Sequence, residues 1–291
     1  MKIILSRKGF DSANGGVASP LFEDGTAVSL PIPGGGRAPV TFGQLCAPGT
    51  PHEGDLGELA AALTRGKVGG QHRAHLDPDL AAASGPPVPG WRAAFGQVGA
   101  AQRHLDYELV GRGDLFLFFG WFRRVERMED GWRFAAKAPD VHRLFGWLQV
   151  GKLVRAGSRP GEAHAQNAGL ARHPHLWGWW EETNTIYIAA DKLDLPGAPA
   201  GTPGAGLFGA DPDGVLQLTA TDGRTRSDWK LPEAFRPAPE RKGLSYHRDA
   251  NRWSGSGEGT RLRAVPRGQE FVLDNAEDEA IAWAAKLFRT T

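Results

Sequence analysis

The run of residues 115–122, Leu-Phe-Leu-Phe-Phe-Gly-Trp-Phe, constrains the fold more than any other part of the sequence, because no charged side chain interrupts it. A strand with one face in water alternates apolar and polar residues, whereas a strand covered on both faces is apolar throughout. We therefore predict a central strand that is buried on both sides. The run ends at Arg123 and is far shorter than the roughly 20 residues that span a bilayer, so we expect no membrane segment.

Shorter patterns predict the elements around this strand. Runs rich in β-branched or aromatic residues predict strands at residues 2–5, 27–32, 132–134, 145–154, 186–190, 215–219 and 270–273. Helical spacing of apolar residues predicts a helix at residues 55–65 and a C-terminal helix with Asp274 as its N-cap. Residues 95–105 predict a loop that leads into a helix of small residues. We find no internal repeat and no linker. The prediction is one elaborated domain over residues 1–291 with an α+β or mixed α/β fold: a central mixed sheet with aromatic-rich buried strands, flanking helices and long Gly/Pro-rich loops.

The lone cysteine, Cys46, limits the redox and metal chemistry of the chain. It excludes an intramolecular disulfide and every structural zinc site that needs two thiolates. A metal site would have to use histidine and carboxylate, and the nine histidines show no HExxH spacing. The glycine-rich start of the predicted helix at residues 95–105 also lacks the spacing of nucleotide-cofactor loops. We therefore expect no metal and no cofactor.

The apolar N-terminal run is too short for a secretory signal, so we expect a cytoplasmic protein.

The net charge of +1 is unevenly distributed along the chain. Residues 112–159 contain ten Lys and Arg against five Asp and Glu, and residues 224–267 contain eleven against five. Such stretches suit a basic face that binds nucleic-acid phosphates. An ordinary solvated surface has the same composition, so this pattern by itself leaves both interpretations open.

Two groups of polar residues stand where chemistry is often found. Arg7, Lys8 and Asp11 follow the first predicted strand, and loops at strand ends commonly carry ligand sites. Asp77 and Asp79 flank a proline. Two neighbouring carboxylates can take different roles in cleaving a glycosidic bond: one stays ionised, and the other acts as an acid. The structural alternative for both groups is an ordinary capped turn.

Several short segments occur in an order that resembles a known family. They are residues 1–12 (MKIILSRKGFDS), 75–80 (HLDPDL), 95–97 (FGQ), 113–123 (GDLFLFFGWFR), 146–151 (GWLQVG), 173–175 (HPH) and 267–271 (RGQEF). Together they resemble the third of the nucleotide modification associated domains, over nearly the whole chain. That family is associated with bacterial and phage systems that make or counter modified DNA bases. The resemblance therefore implies DNA as the partner, including modified phage DNA.

The resemblance also implies which residues form the site. It points to four candidate catalytic acids, which are Asp11, Asp77, Asp79 and Glu270. The candidate substrate-binding residues are polar or aromatic, and they are Arg7, Lys8, His75, Gln97, Gln102, His104, Trp147, Gln149, His175, His247 and Gln269. Side-chain amides can read a base edge through hydrogen bonds, and tryptophan can stack on a base.

Clustered carboxylates, base-reading side chains and basic stretches favour a DNA glycosylase, which flips a modified base out of the helix and hydrolyses its N-glycosidic bond. In this hypothesis Asp77 or Asp11 stabilises the positive charge that develops at C1′. Two alternatives stay open. One is a transferase that installs or elaborates a group on a base, with His175, His247 or Glu270 as general base. The other is a non-catalytic reader that recognises a modified base in a tryptophan-lined pocket.

Overall fold

The computed structural model describes residues 1–36 and 38–289, which form a large mixed sheet, two small sheets and four α-helices. The helices are α1 Leu56–Thr64, α2 Gly99–Tyr107, α3 Gly161–Gln166 and α4 Asp278–Leu287. The strands are β1 Ile3–Arg7, β2 Ser19–Leu21, β3 Ile32–Pro33, β4 Val40–Thr41, β5 Arg73–His75, β6 Ala94–Gln97, β7 Leu115–Met128, β8 Gly131–Phe134, β9 Asp140–Arg155, β10 Thr185–Ala189, β11 Ala205–Leu207, β12 Asp228–Lys230, β13 Trp253–Ser254, β14 Arg261–Arg263 and β15 Glu270–Leu273. This confirms the predicted fold class. Among the described residues no helix has the length and apolar character needed to cross a membrane.

The large sheet has the strand order β15-β1-β7-β9-β10-β6, with β2, β8 and β11 paired to its long central strands. Strands β1 and β2 run parallel to β7, and the remaining pairs are antiparallel. The outer strands β15 and β6 are joined at one end, because Gln97 Nε2 donates a hydrogen bond of 2.6 Å to Glu270 Oε1. The sheet is therefore curled, and its two edges approach each other there.

The predicted central strand is confirmed as β7, and its continuous apolar run is explained by two cores. Leu115, Leu117 and Phe119 point into one cluster, which also contains side chains of α4. Phe116 and Phe118 point into a second cluster on the opposite face of the sheet. Each fully buried side chain of this size contributes roughly 1.5–3 kcal/mol to stability, so both faces of β7 help to fix the sheet.

Four predicted elements differ from the structure. Residues 95–97, which were expected to lead into a helix as a loop, form most of strand β6, and helix α2 begins only at Gly99. Residues 27–32 contribute only Ile32 to a strand, and the N–H of Leu30 donates to the side-chain oxygen of Ser19 instead of to a strand. Residues 215–219 form only isolated bridges, because Asp211 accepts hydrogen bonds from the N–H groups of Val215 and Leu216. The last helix, α4, begins at Asp278 with Glu277 as its N-cap, while Asp274 forms an ion pair with Lys2 instead.

The curled end of the sheet brings five chain segments together. There β1 ends at Arg7, β15 begins at Glu270 opposite Ser6, and β6 ends at Gln97. The segment after β5 and the loop before β10 reach the same end and complete a pocket. The topology therefore gathers residues that are far apart in the sequence.

Candidate functional site

A pocket of about 900 Å³ opens at this end of the sheet. This volume lies within the range of roughly 300–1,000 Å³ that is typical of small-molecule sites. The polar side chains that line it are Arg7, Lys8, Asp11, Asn14, His75, Asp77, Gln97, His175, Arg267 and Gln269, and Trp180 adds an aromatic wall. Many of the residues that the sequence pointed to are thus neighbours.

Asp77 is the buried acid of the pocket, with a side chain that is 5% exposed. Its Oδ1 accepts a 2.8 Å hydrogen bond from the backbone N–H of Gly96, and His173 Nε2 lies 3.3 Å from the same oxygen. Burial alone would raise the pKa of this carboxyl. The contact with His173 and the charges of His175 and Lys8 outweigh burial and hold the pKa below its usual value. Asp77 is therefore ionised at neutral pH.

His175 is held in one orientation and one tautomer. The side-chain N–H groups of Asn184 donate to Gly157 O and His175 O, so its oxygen faces the ring and accepts from His175 Nδ1 at 2.7 Å. The lone pair of the neutral ring is consequently on Nε2. Burial lowers the pKa of His175 to about 3, although the Asp77 charge opposes this shift. Trp180 stacks on the ring, with centroids 4.2 Å apart.

The second carboxylate oxygen of Asp77 faces two imidazoles without bonding to either. His175 Nε2 lies 3.8 Å and His75 Nε2 lies 3.9 Å from Asp77 Oδ2, and both distances exceed the 2.7–3.2 Å of a hydrogen bond. His173 Nε2 is buried and has no partner of good hydrogen-bond geometry. The pocket floor is thus an ionised carboxylate surrounded by imidazoles.

A second polar cluster joins β1, β6 and β15 beside this floor. Lys8 Nζ lies 3.0 Å from Glu270 Oε1 and sits over the ring of Phe95. Gln97 donates to the same carboxylate oxygen. Glu270 Oε2 and the nearby Ser6 Oγ are buried and have no hydrogen-bond partner among the described residues. Since buried polar atoms are usually paired, this cluster also has unused hydrogen-bonding capacity.

The rim of the pocket combines positive side chains with a polar turn. Arg7 donates to Pro266 O and Val265 O, which ties β1 to the loop before β15. Arg267 is exposed on that loop. Asp11 accepts bonds from the N–H groups of its own turn, including that of Asn14. Asp11 therefore organises the rim, as an Asx turn does.

Asp79 has a different environment from Asp77, although the two are close in sequence. Both oxygens of Asp79 bind the Arg172 guanidinium at 2.7 Å, and Trp91 Nε1 donates to one of them. This bidentate pair is almost completely buried. Asp79 lies outside the pocket lining and joins two loops.

The remaining candidate residues lie outside the pocket lining, and each makes structural contacts. Gln102 bonds to Tyr187 Oη, and His104 Nε2 lies 3.0 Å from Ser245 Oγ. The other three bond to backbone groups: Trp147 to Pro203 O, Gln149 to Gly113 O and Asp194 O, and His247 to Ser245 O and Val265 N. Gln149 is 3% exposed, so it is not available to bind substrate as its candidate role requires.

Sequence reasoning missed several residues of the site. Asn184, which fixes His175, and Trp180, which stacks on it, carry no local motif. Gly96 belongs to the FGQ segment, but nothing in the sequence indicates that its N–H bonds to Asp77 or that a Cβ there would meet the His175 ring at 2.4 Å. His173 stands in the HPH segment, which was the one available signal.

A mixed α/β fold that gathers amide, basic and aromatic side chains around one deep pocket is suited to binding a nucleotide. The model described as nucleotide modification associated domain 3 matches residues 2–274. The chain therefore belongs to this family, which confirms the resemblance seen in the sequence and implies a role connected with nucleotide modification. No curated protein and no solved structure matches the chain.

Proposed function

We propose that this protein is a DNA glycosylase that removes a modified base and leaves an abasic site. The observation that carries the proposal is Asp77, an ionised carboxylate on the floor of a nucleotide-sized pocket. Glycosidic bonds are cleaved through a transition state with positive charge at the anomeric carbon, and carboxylates stabilise that charge.

The reaction adds one water across the C1′–N bond. The water oxygen bonds to C1′ while the C1′–N bond breaks, the base leaves with the bonding electrons, and the proton lost by the water balances the charge on the base. Asp77 stabilises the positive charge at C1′ and orients the water. Its Oδ1 is occupied by the Gly96 N–H, whereas Oδ2 faces the pocket side chains His75 and His175.

The walls of the pocket suit an extruded nucleotide. Trp180, which stacks on His175 with one face, also lines the pocket, and base stacking on aromatic residues is worth roughly 1–3 kcal/mol. The exposed Gln269 side chain lines the same pocket and can pair with a base edge, whereas the Gln97 amide is already bonded to Glu270, Gln269 and the N–H of Val98. Arg267 lines the rim of the pocket and offers a positive charge to a phosphate.

A second groove supports DNA as the partner. It has a volume of about 790 Å³, is lined by Arg224 and Arg226, and shares Arg7 and Pro266 with the site pocket. A strand in this groove would lead its next nucleotide toward Asp77. We propose modified phage DNA as the substrate and the cytoplasm as the place of reaction.

The test is base release from phage genomic DNA with modified or unmodified cytosine. Abasic sites are counted with an aldehyde-reactive probe, and released bases are identified by mass spectrometry. We expect both products from modified DNA, and we expect Asp77→Asn to lower the rate by about 10²–10⁴-fold. The amide keeps an oxygen for the Gly96 N–H, so the fold should survive.

Asp191→Asn is the matched control, because this carboxylate is 90% exposed and lies outside the site pocket. It should retain the wild-type rate. DNA that is bound but stays intact, with metal ions added or omitted, would contradict the proposal and favour a reader. Products that appear only with a small-molecule donor would favour a transferase.

A further inference from the structure

His75, Asp77 and His175 each bring one ligand atom to the pocket floor, and these atoms lie within 4.8 Å of one another. Neither imidazole is within hydrogen-bond distance of Asp77 Oδ2, because His175 Nε2 lies 3.8 Å and His75 Nε2 lies 3.9 Å from it. Side chains in a simple hydrogen-bond network would approach to about 3 Å. We propose that these three residues bind one divalent transition-metal ion.

The spacing fits an ion after small movements. A point equidistant from the three atoms lies within about 2.5 Å of each, compared with roughly 2.0–2.2 Å for zinc bonds to histidine and carboxylate. Each ligand has to move inward by a few tenths of an ångström. His75, at the end of β5, has a partly exposed side chain and can make this adjustment.

The surrounding contacts prepare each ligand for a metal. Asn184 holds the proton of His175 on Nδ1, which leaves Nε2 free to coordinate. Asp77 Oδ1 is held by the Gly96 N–H, which leaves Oδ2 to face the imidazoles. Metal-binding histidines and carboxylates usually have such outer hydrogen bonds, which fix their orientation.

The charge at the site also calls for a cation. Among the described residues, every ion-pair partner of Asp77 is a histidine: His75, His173 and His175. Lys8 lies closer to Glu270 and pairs with it. A divalent ion between the three ligands would give the Asp77 carboxylate a direct cationic partner, in addition to the Gly96 N–H and the more distant charge of Lys8.

Two imidazoles and one carboxylate form the ligand set of open metal sites, with positions left for water or substrate. This donor set favours zinc or iron(II) over magnesium or calcium, which prefer oxygen ligands alone. The three ligands line the site pocket, so the open positions face the bound nucleotide. An ion-bound water, with its pKa lowered to about 7, would be the nucleophile at C1′. Asp77 would then orient the water through the ion instead of facing C1′ directly; this use of the ion rests on the proposed function, whereas the binding site does not.

The test measures metal binding without DNA. Protein treated with a chelator is titrated with Zn²⁺ by calorimetry and with Co²⁺ by visible absorption. We expect one equivalent of either ion per chain and a new Co²⁺ absorption band. His75→Ala and Asp77→Asn should weaken binding by more than 100-fold, and Asn184→Ala should weaken it by roughly 10–100-fold, as loss of an outer hydrogen bond does.

His72→Ala is the control, because this exposed histidine is close in sequence but outside the pocket lining. It should bind one equivalent with wild-type affinity. Urea unfolding of each metal-free variant shows whether the fold is retained, and His75→Ala is the safest variant since its side chain is partly exposed. The absence of a single saturable site, or equal affinity in wild type, His75→Ala and Asp77→Asn, would overturn the proposal.

Base release measured on the same samples separates the two proposals. One bound ion without base release supports the metal site and counts against the glycosylase. Base release by a protein that binds no ion supports the glycosylase and overturns the metal site.

Discussion

Gly96→Ala should disable the site without breaking the fold. The new Cβ would lie 2.4 Å from two ring carbons of His175, whereas carbon atoms in contact are about 3.5–4.0 Å apart. The ring would therefore have to retreat by about 1 Å. The backbone itself tolerates alanine, because Gly96 lies within β6 and has no positive φ.

The His175 ring has no easy direction in which to move. Trp180 stacks on it with an angle of 12° between the rings, and Asn184 bonds to its Nδ1 at 2.7 Å. A shift of about 1 Å breaks that hydrogen bond. Overpacking of this kind costs roughly 1–3 kcal/mol of unfolding free energy. A misplacement of about 1 Å in a catalytic group can lower the rate by about 10²-fold.

The assays are urea unfolding, Zn²⁺ affinity and the rate of base release. Gly161→Ala is the control, because a Cβ at this first residue of α3 meets no atom within 4 Å. It should behave as wild type in all three assays. If Gly96→Ala kept wild-type stability, metal affinity and base release, the described packing of His175 would be wrong.

Three further predictions concern pH, buried charge and salt. Burial holds the pKa of His247 at about 4 in the folded protein, against 6.5 in the unfolded chain. The unfolded state therefore takes up the proton first, and this group removes up to about 3 kcal/mol of stability as the pH falls from 6.5 to 4. The urea midpoint should fall less steeply with pH in His247→Gln than in the wild type. Arg172→Met should cost roughly 3–5 kcal/mol in the same measurement, because it leaves the Asp79 carboxylate buried and unpaired. Arg92→Met, in an exposed pair, should cost less than about 1 kcal/mol. Arg267→Ala should weaken DNA binding equally for all sequences and reduce the slope of log K against log salt by about one.

The sheet was predictable where apolar periodicity alone decides the structure. The run at residues 115–122 predicted β7, and residues 270–273 predicted β15 with the observed bounds. Residues 215–219 show the opposite case, since Leu216 and Leu218 are buried as in a strand. The Asp211 carboxylate accepts hydrogen bonds from the N–H groups of Val215 and Leu216, which a strand would use for its ladder. A competing partner of this kind is invisible in local periodicity. That residues 1–291 form one domain stays a prediction.

The sequence predicted the residue types of the site but not which of its carboxylates is available to a substrate. Asp77 and Asp79 look equivalent in the sequence, and both were candidate acids. The structure separates them through Arg172, which is 93 positions from Asp79 and neutralises it. Asp77 has only histidines within ion-pair distance among the described residues. Which of two neighbouring carboxylates stays available is therefore decided by a distant loop.

The dependence on distant residues also explains why no sequence motif predicts the proposed metal site. His75 and Asp77 are two positions apart at the end of β5, where hydrogen bonds from Leu76 N–H to Ala74 O and from Asp77 N–H to His75 O form tight turns, and both side chains approach one point there. The third ligand, His175, comes from a loop that Asn184 and Trp180 hold in place. A search for helical spacing such as HExxH tests only ligands from one helix. The expectation of no metal rested on that search, and the converging geometry at Asp77 Oδ2 gives a physical reason to measure metal binding directly.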